Sequence, residues 1–236
     1  MESLLPSPIV QFQRVLENEF STAPENIQTT TYDNGNAIIS LHDTSSGIME
    51  HNQAFKISYQ PQNNRVTIHS LREKDDVEQT NVLYSGQELL DRLKRAASNS
   101  NIRDLRIGED RANLNLKDEE NNTQPIDMAK LKILQHGETW YNRNGFRGPN
   151  YEQDTADNNI IRNKPLSRYV KKDIQEDFEE QFGPLSDYTV ASFGAYTQEL
   201  LQKGKPISAI KLAIIREIVN QKLPFVTAQQ ELKYFT

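Results

Sequence analysis

Ile27-Gln28-Thr29-Thr30-Thr31-Tyr32-Asp33-Asn34-Gly35-Asn36-Ala37-Ile38-Ile39-Ser40-Leu41 is the stretch on which the fold turns. Two segments of period two, Ile27 to Tyr32 and Ala37 to Leu41, flank Asp33-Asn34-Gly35-Asn36. Asn and Gly tolerate positive φ, so this tetrapeptide predicts a hairpin. Ala54 to Tyr59 and Arg65 to Leu71 repeat the arrangement around Pro61-Gln62-Asn63-Asn64, another turn-forming tetrapeptide. Four strands in antiparallel succession are expected from 27 to 71.

Working outward, Ser7-Pro8 predicts a helix start, because serine caps free amides and proline has no N–H to leave unpaired. Ile9, Phe12, Leu16 and Phe20 follow at helical spacing. Beyond the strands, a charged loop (Arg72 to Gln79) leads to a helix over Ser85 to Ala97, with Leu89, Leu90, Leu93 and Ala96 on one face. A strand is expected at Ile102 to Ile107, extended by Asn113 to Leu116. A further helix is expected from Ile126 to Asn142, with Gly137 as its weak point. Residues 147 to 165, rich in Asn, Asp, Gly and Pro, read as a loop or linker. Three amphipathic helices follow: one marked by Ile174, Phe178 and Phe182, one by Val190, Phe193, Leu200 and Leu201, and one by Ile207, Ile210, Ile214, Ile218 and Val219. The expected class is α+β: a mixed, mostly antiparallel sheet flanked by helices, then a helical C-terminal region.

Composition excludes several kinds of chemistry. The 236 residues include no cysteine, so a disulfide scaffold, a thiolate metal site and a cysteine nucleophile are ruled out. Net charge is −6, from 33 acids against 27 bases, which argues against a nucleic-acid partner. Arg92, Lys94 and Arg95 read as a solvated helix face. No apolar run approaches the length of a membrane span, and Met1 to Phe20 has no leader pattern, so neither a membrane nor a secretory route is expected. A cytoplasmic location, or delivery into a host cell, fits this composition.

The segment Tyr141-Asn142-Arg143-Asn144-Gly145-Phe146 ends a predicted helix with tyrosine and follows it with Gly-Phe. It resembles the end of the penultimate helix in the GNAT N-acetyltransferase superfamily, and the order of strands and helices before it agrees over roughly residues 30 to 150. The resemblance implies an acetyltransferase-like α/β domain over 1–150; the composition and helical spacing beyond it give a linker at 151–165 and a helical region over 166–236. It implies N-acyl transfer to an amine or protein acceptor, with acetyl-CoA as donor and Tyr141 as the acid that protonates the departing thiolate. Such enzymes hold the donor's diphosphate on a loop of the form Arg/Gln-X-X-Gly-X-Gly/Ala. The matching place here is Asn81 to Gln87, with Tyr84, Ser85, Gly86 and Gln87 as the cofactor-binding candidates. Only Gly86 keeps the pattern, and Glu73, Asp75, Asp76 and Glu78 precede it. An altered cofactor mode, a fold kept without transfer, or a likeness without kinship all remain open.

Of the four histidines, His42, His51, His69 and His136, none shows metal-ligand spacing, and no metal site is expected. His69, on a central strand, is the general-base candidate, set against a hydrogen-bonded structural histidine. Tyr141 as a packed helix-end aromatic competes with its catalytic role. Asp75-Asp76 and Asp118-Glu119-Glu120 read as solvated loops, and Trp140, Tyr141 and Phe146 as aromatics without a basic groove for a nucleic-acid base. The competing function is a non-enzymatic interaction or effector protein that binds a protein partner through its C-terminal helices.

Overall fold

A computed structural model describes residues 6–42, 53–71, 85–108, 113–201, 206–227 and 231–234. The chain is α+β: its mixed sheet is mostly antiparallel, helices flank it, and the C-terminal region is helical. It forms two compact units, Met1–Glu109 with Glu231–Tyr234, and Asp110–Gln230 with Phe235–Thr236.

In the first unit, helix α1 (Pro8–Phe20) precedes strands β1 (Ile27–Thr31), β2 (Ala37–His42), β3 (Gln53–Gln60) and β4 (Arg65–Leu71), each antiparallel to the one before it. The expected Asn-Gly hairpin is present: Gly35 takes φ 78°, and Tyr32 and Asn36 close the turn through Tyr32 N to Asn36 O at 2.9 Å. Helix α2 (Gly86–Asn99) then carries the chain to β5 (Asp104–Ile107), which lies parallel to β4 with Arg65 opposite Asp104 and Ile68 opposite Ile107. Strand β9 (Leu232–Tyr234) returns from the far end of the sequence and pairs antiparallel with β5. Strand alternation sends Ile39, Ile57, Ile68, Leu105 and Ile107 to one face. Helix α1 covers that face, with Phe12 against Tyr59 (ring centroids 4.9 Å) and Phe20 against Phe55 (5.1 Å). The basic cluster on α2 holds the two helices together instead of forming a purely solvated face. Arg92 donates to the Glu19 carbonyl, and Arg95 and Asn99 donate to the Glu19 carboxylate at 3.0 and 2.8 Å.

The second unit opens with a hairpin of β6 (Asn113–Lys117) and β7 (Thr123–Asp127), so residues 113–116 pair with the following strand and do not extend β5. The single helix expected over 126–142 is three pieces. Asp127 ends the strand and caps α3 (Met128–His136), its side chain accepting from Lys130 N; Gly137, at φ 88°, stops that helix; and Thr139 caps α4 (Trp140–Arg143). Phe146–Arg147 form β8. The expected linker at 151–165 is instead helix α5 (Tyr151–Arg162). Its polar composition is accommodated by Asn158, buried and paired both ways with Val226: Nδ2 donates to the Val226 carbonyl at 2.9 Å, and Oδ1 accepts from its amide at 2.8 Å. Helices α6 (Lys172–Phe182), α7 (Val190–Leu200) and α8 (Ala209–Glu217) follow, close to expectation.

The domain borders expected at 150 and 166 are not those of the compact units. Ile126, Leu131, Ile133 and Leu134 share one core with Phe178, Phe193, Leu212 and Ile215, so the segment before residue 150 is bound to the C-terminal helices by apolar burial. Gly194 allows α7 to approach α3: a Cβ there would overlap the Leu134 carbonyl. Gly194→Ala should therefore destabilise the protein by about 3 kcal/mol or more, against about 1 kcal/mol for Gly35→Ala, where only the positive φ is strained. Urea unfolding of the two variants measures the difference, and equal losses would contradict this packing.

Candidate functional site

The face of the first unit's sheet opposite its helices is polar. Lys56 and Ser58 on β3, Arg65, Thr67 and His69 on β4, Asp104 and Arg106 on β5, and Lys233 on β9 line it by register. Asp104 organises its charges. Its carboxylate accepts from Arg106 Nε and Nη2 at 2.8 and 2.9 Å and from Arg65 Nε at 2.7 Å, while Lys233 Nζ lies 3.9 Å away. Arg106 donates its remaining Nη1 to Glu231 at 2.7 Å. The bond to Arg106, reinforced by Arg65, holds the Asp104 carboxyl down to about 2, and the same carboxylate raises Arg106.

His69 reaches this face through a bulge. Lys56 pairs with Ser70 and Ile57 with Ile68, leaving His69 with no residue opposite. A bulge redirects a side chain, and this one brings His69 Nε2 to 3.0 Å from Ser58 Oγ. The Nδ1 edge faces Gly108, where a Cβ would stand only 3.3 Å away. Partial burial and the Lys56 ammonium lower the histidine's pKa against a smaller opposing pull from Glu231, so its neutral form is favoured. The β4–β5 ladder ends here, at the bond from Gly108 N to Ile68 O, while β4 runs on to Leu71.

The cofactor candidates stand at the start of α2, except Tyr84, which lies outside the described residues. Ser85 and Glu88 form a reciprocal capping box: Glu88 N donates to Ser85 Oγ at 3.2 Å, and Ser85 N donates to Glu88 Oε2 at 2.9 Å. Gly86 is buried, and Gln87 is tied to Asp91 by bonds of 3.1 Å. A carboxylate thus occupies the positive end of the helix, so this first turn does not suit a diphosphate.

Tyr141 lies in the second unit, 8% exposed, with Trp140 and Phe146 edge-on at 4.9 and 6.1 Å. Gly145 turns the chain at φ 88°, and Asn142 Nδ2 donates to the Phe146 carbonyl at 2.9 Å. The Gly-Phe signature therefore has a local structural basis, and the three aromatics form a packed cluster and no exposed stacking platform. His42 contacts Ser40 Oγ at 2.9 Å. At the end of α3, burial and the cations Arg143, Lys132 and Arg162 lower His136; His51 is outside the described residues. Asp118, expected in a solvated loop, is buried in the β6–β7 turn, where Oδ1 accepts from the amides of Glu120 and Asn122. Among the described residues, no group of three metal-ligating side chains converges, and no helix is long and apolar enough to cross a membrane.

Compared with known proteins, the chain matches no family, no curated sequence and no solved structure.

The pairing of Ser58 with His69 went unread in the sequence, because the bulge that creates it leaves no periodic trace. Asp104 provides the test of the face. Its lowered pKa contributes stability above the unfolded value of about 3.9, and this is lost as pH falls towards 2. Asp104→Asn should cost on the order of 1–2 kcal/mol at pH 7 after solvent screening. The gap from wild type should close below pH 4 and vanish near pH 2. Denaturant titrations across that range check it; a gap independent of pH would contradict the assignment.

Proposed function

We propose that the first unit transfers an acyl group from a thioester to an amine, the activity implied by the resemblance to N-acetyltransferases. The observation that carries this reading is the end of the β4–β5 ladder. In parallel strand pairs joined by a helix, ligands gather beyond the carboxyl ends of the strands. Here those ends bear Ile68 to Leu71 and Gly108, and among the described residues β4 beyond Ile68 pairs only with β3. Among the described residues, the other edge of β4 is the one with amides and carbonyls to offer a peptide-like arm. His69 stands beside it in its neutral form. It takes the proton that an attacking amine loses as the carbon–nitrogen bond forms and the carbon–sulfur bond breaks.

A different observation supports the alternative, an interaction protein without transfer. The capping box closes the α2 terminus to a diphosphate, and Ile160 on α5 and Ile210 on α8 are 55% and 56% exposed. On this reading these exposed side chains are the contact candidates for a protein partner on the C-terminal helices.

Acetyl-CoA separates the two. A donor bound only by the native state at a hundred times its dissociation constant adds about 2.7 kcal/mol of stability. Mass spectrometry should find acetylated product from a panel of polyamines and lysine peptides. Loss of a general base costs about 10²–10⁴-fold in rate, the effect expected of His69→Gln. The absence of both stabilisation and product at millimolar donor would overturn the transfer reading and leave the interaction reading in its place.

A further inference from the structure

We propose that Ser58 is a nucleophile activated by His69, accepting the acyl group of an ester or thioester that carries negative charge. This assignment shares a sheet face with the acyl-transfer reading but requires neither a coenzyme donor nor an amine acceptor.

A serine hydroxyl is a weak nucleophile until a base within about 2.6–3.2 Å can take its proton. The 3.0 Å between Ser58 Oγ and His69 Nε2 meets that condition. The bulge at His69 turns the ring along the face, and Gly108 lets its Nδ1 edge lie close to the backbone of the chain leaving β5. His69 is exposed and Ser58 partly so, and a substrate in solution can reach both. The structural alternative, a hydroxyl that satisfies a buried imidazole, explains less here, because the ring is only partly buried and water reaches it.

Charge on the face defines the substrate. Among the described residues, Lys56, Arg65, Arg106 and Lys233 outnumber Asp104 and Glu231. Arg65 and Arg106 are engaged by Asp104, so Lys56, exposed and two residues before Ser58 on the same side of β3, is placed to meet an anionic group. In the reaction Ser58 Oγ bonds to the acyl carbon and its proton passes to His69 Nε2. The bond to the leaving oxygen or sulfur breaks, and the leaving group takes that proton. Water, deprotonated by the same imidazole, then cleaves the acyl-serine and restores the hydroxyl.

A biotinylated fluorophosphonate probe tests this on the full chain, with peptide mapping by mass spectrometry. One adduct should map to Ser58, absent from Ser58→Ala and slowed at least tenfold in His69→Gln. On wild type, which needs no variant to fold, the labelling rate should rise with pH to a plateau. Lys56, Ser58 and Glu231 face the ring, and its midpoint should lie below the ordinary histidine value of about 6.5. Lys56→Met should slow hydrolysis of p-nitrophenyl hemisuccinate severalfold more than that of p-nitrophenyl acetate. No adduct at Ser58 under conditions that label a known serine hydrolase, or labelling independent of pH and of His69, overturns the assignment. Failure to acetylate amines bears only on the acyl-transfer reading.

Discussion

The parallel pairing of β4 with β5 is the constraint from which the organisation of the first unit follows. Parallel neighbours need a crossover, so a helix must lie between them in sequence, and α2 fills that role with Leu89, Leu90 and Leu93 buried. Asp104 reinforces the pairing on the other face. It sits opposite Arg65 in the register and bonds it, while also clamping Arg106 two residues along its own strand. One carboxylate therefore ties two strands together and sets the charge of the surface beside Ser58 and His69. Apolar burial on one face and charge-assisted bonding on the other select the same register.

The proposed site of the first unit lies where that regularity stops. A bulge releases His69 from cross-strand pairing, and the ladder to β5 closes one residue earlier, at Ile68 and Gly108. The same local irregularity presents an imidazole and brings it against a hydroxyl. At the start of α2 the logic is reversed. Ser85 and Glu88 satisfy the helix terminus internally, and an anion that would otherwise gather there meets a carboxylate.

Much of the architecture was readable because its signals are local. The Asp33 to Asn36 turn, the Ser7-Pro8 start and the four-residue spacing of Ile174, Phe178 and Phe182 each mark an element independently of its neighbours. What was not readable depends on distant partners. Residues 151–162 are polar enough to pass for a linker, yet Asn158 is fixed by Val226, 68 residues further on. Strand β9 has only three residues and no period to detect. His69 was recognisable as a candidate base, whereas the contacts of Ser58 and Asp104 were not, since they come from register and a bulge. Tyr141 and Phe146 drew attention as a motif, and their packing around Gly145 gives that motif a local structural basis.

Backbone nuclear Overhauser contacts test the parallel pairing most directly. The account predicts amide-to-α-proton contacts linking Val66 with Leu105 and Ile68 with Ile107, together with slow exchange of the Gly108 amide. Close α-proton pairs of an antiparallel ladder between these segments, or no contacts linking them, would contradict it.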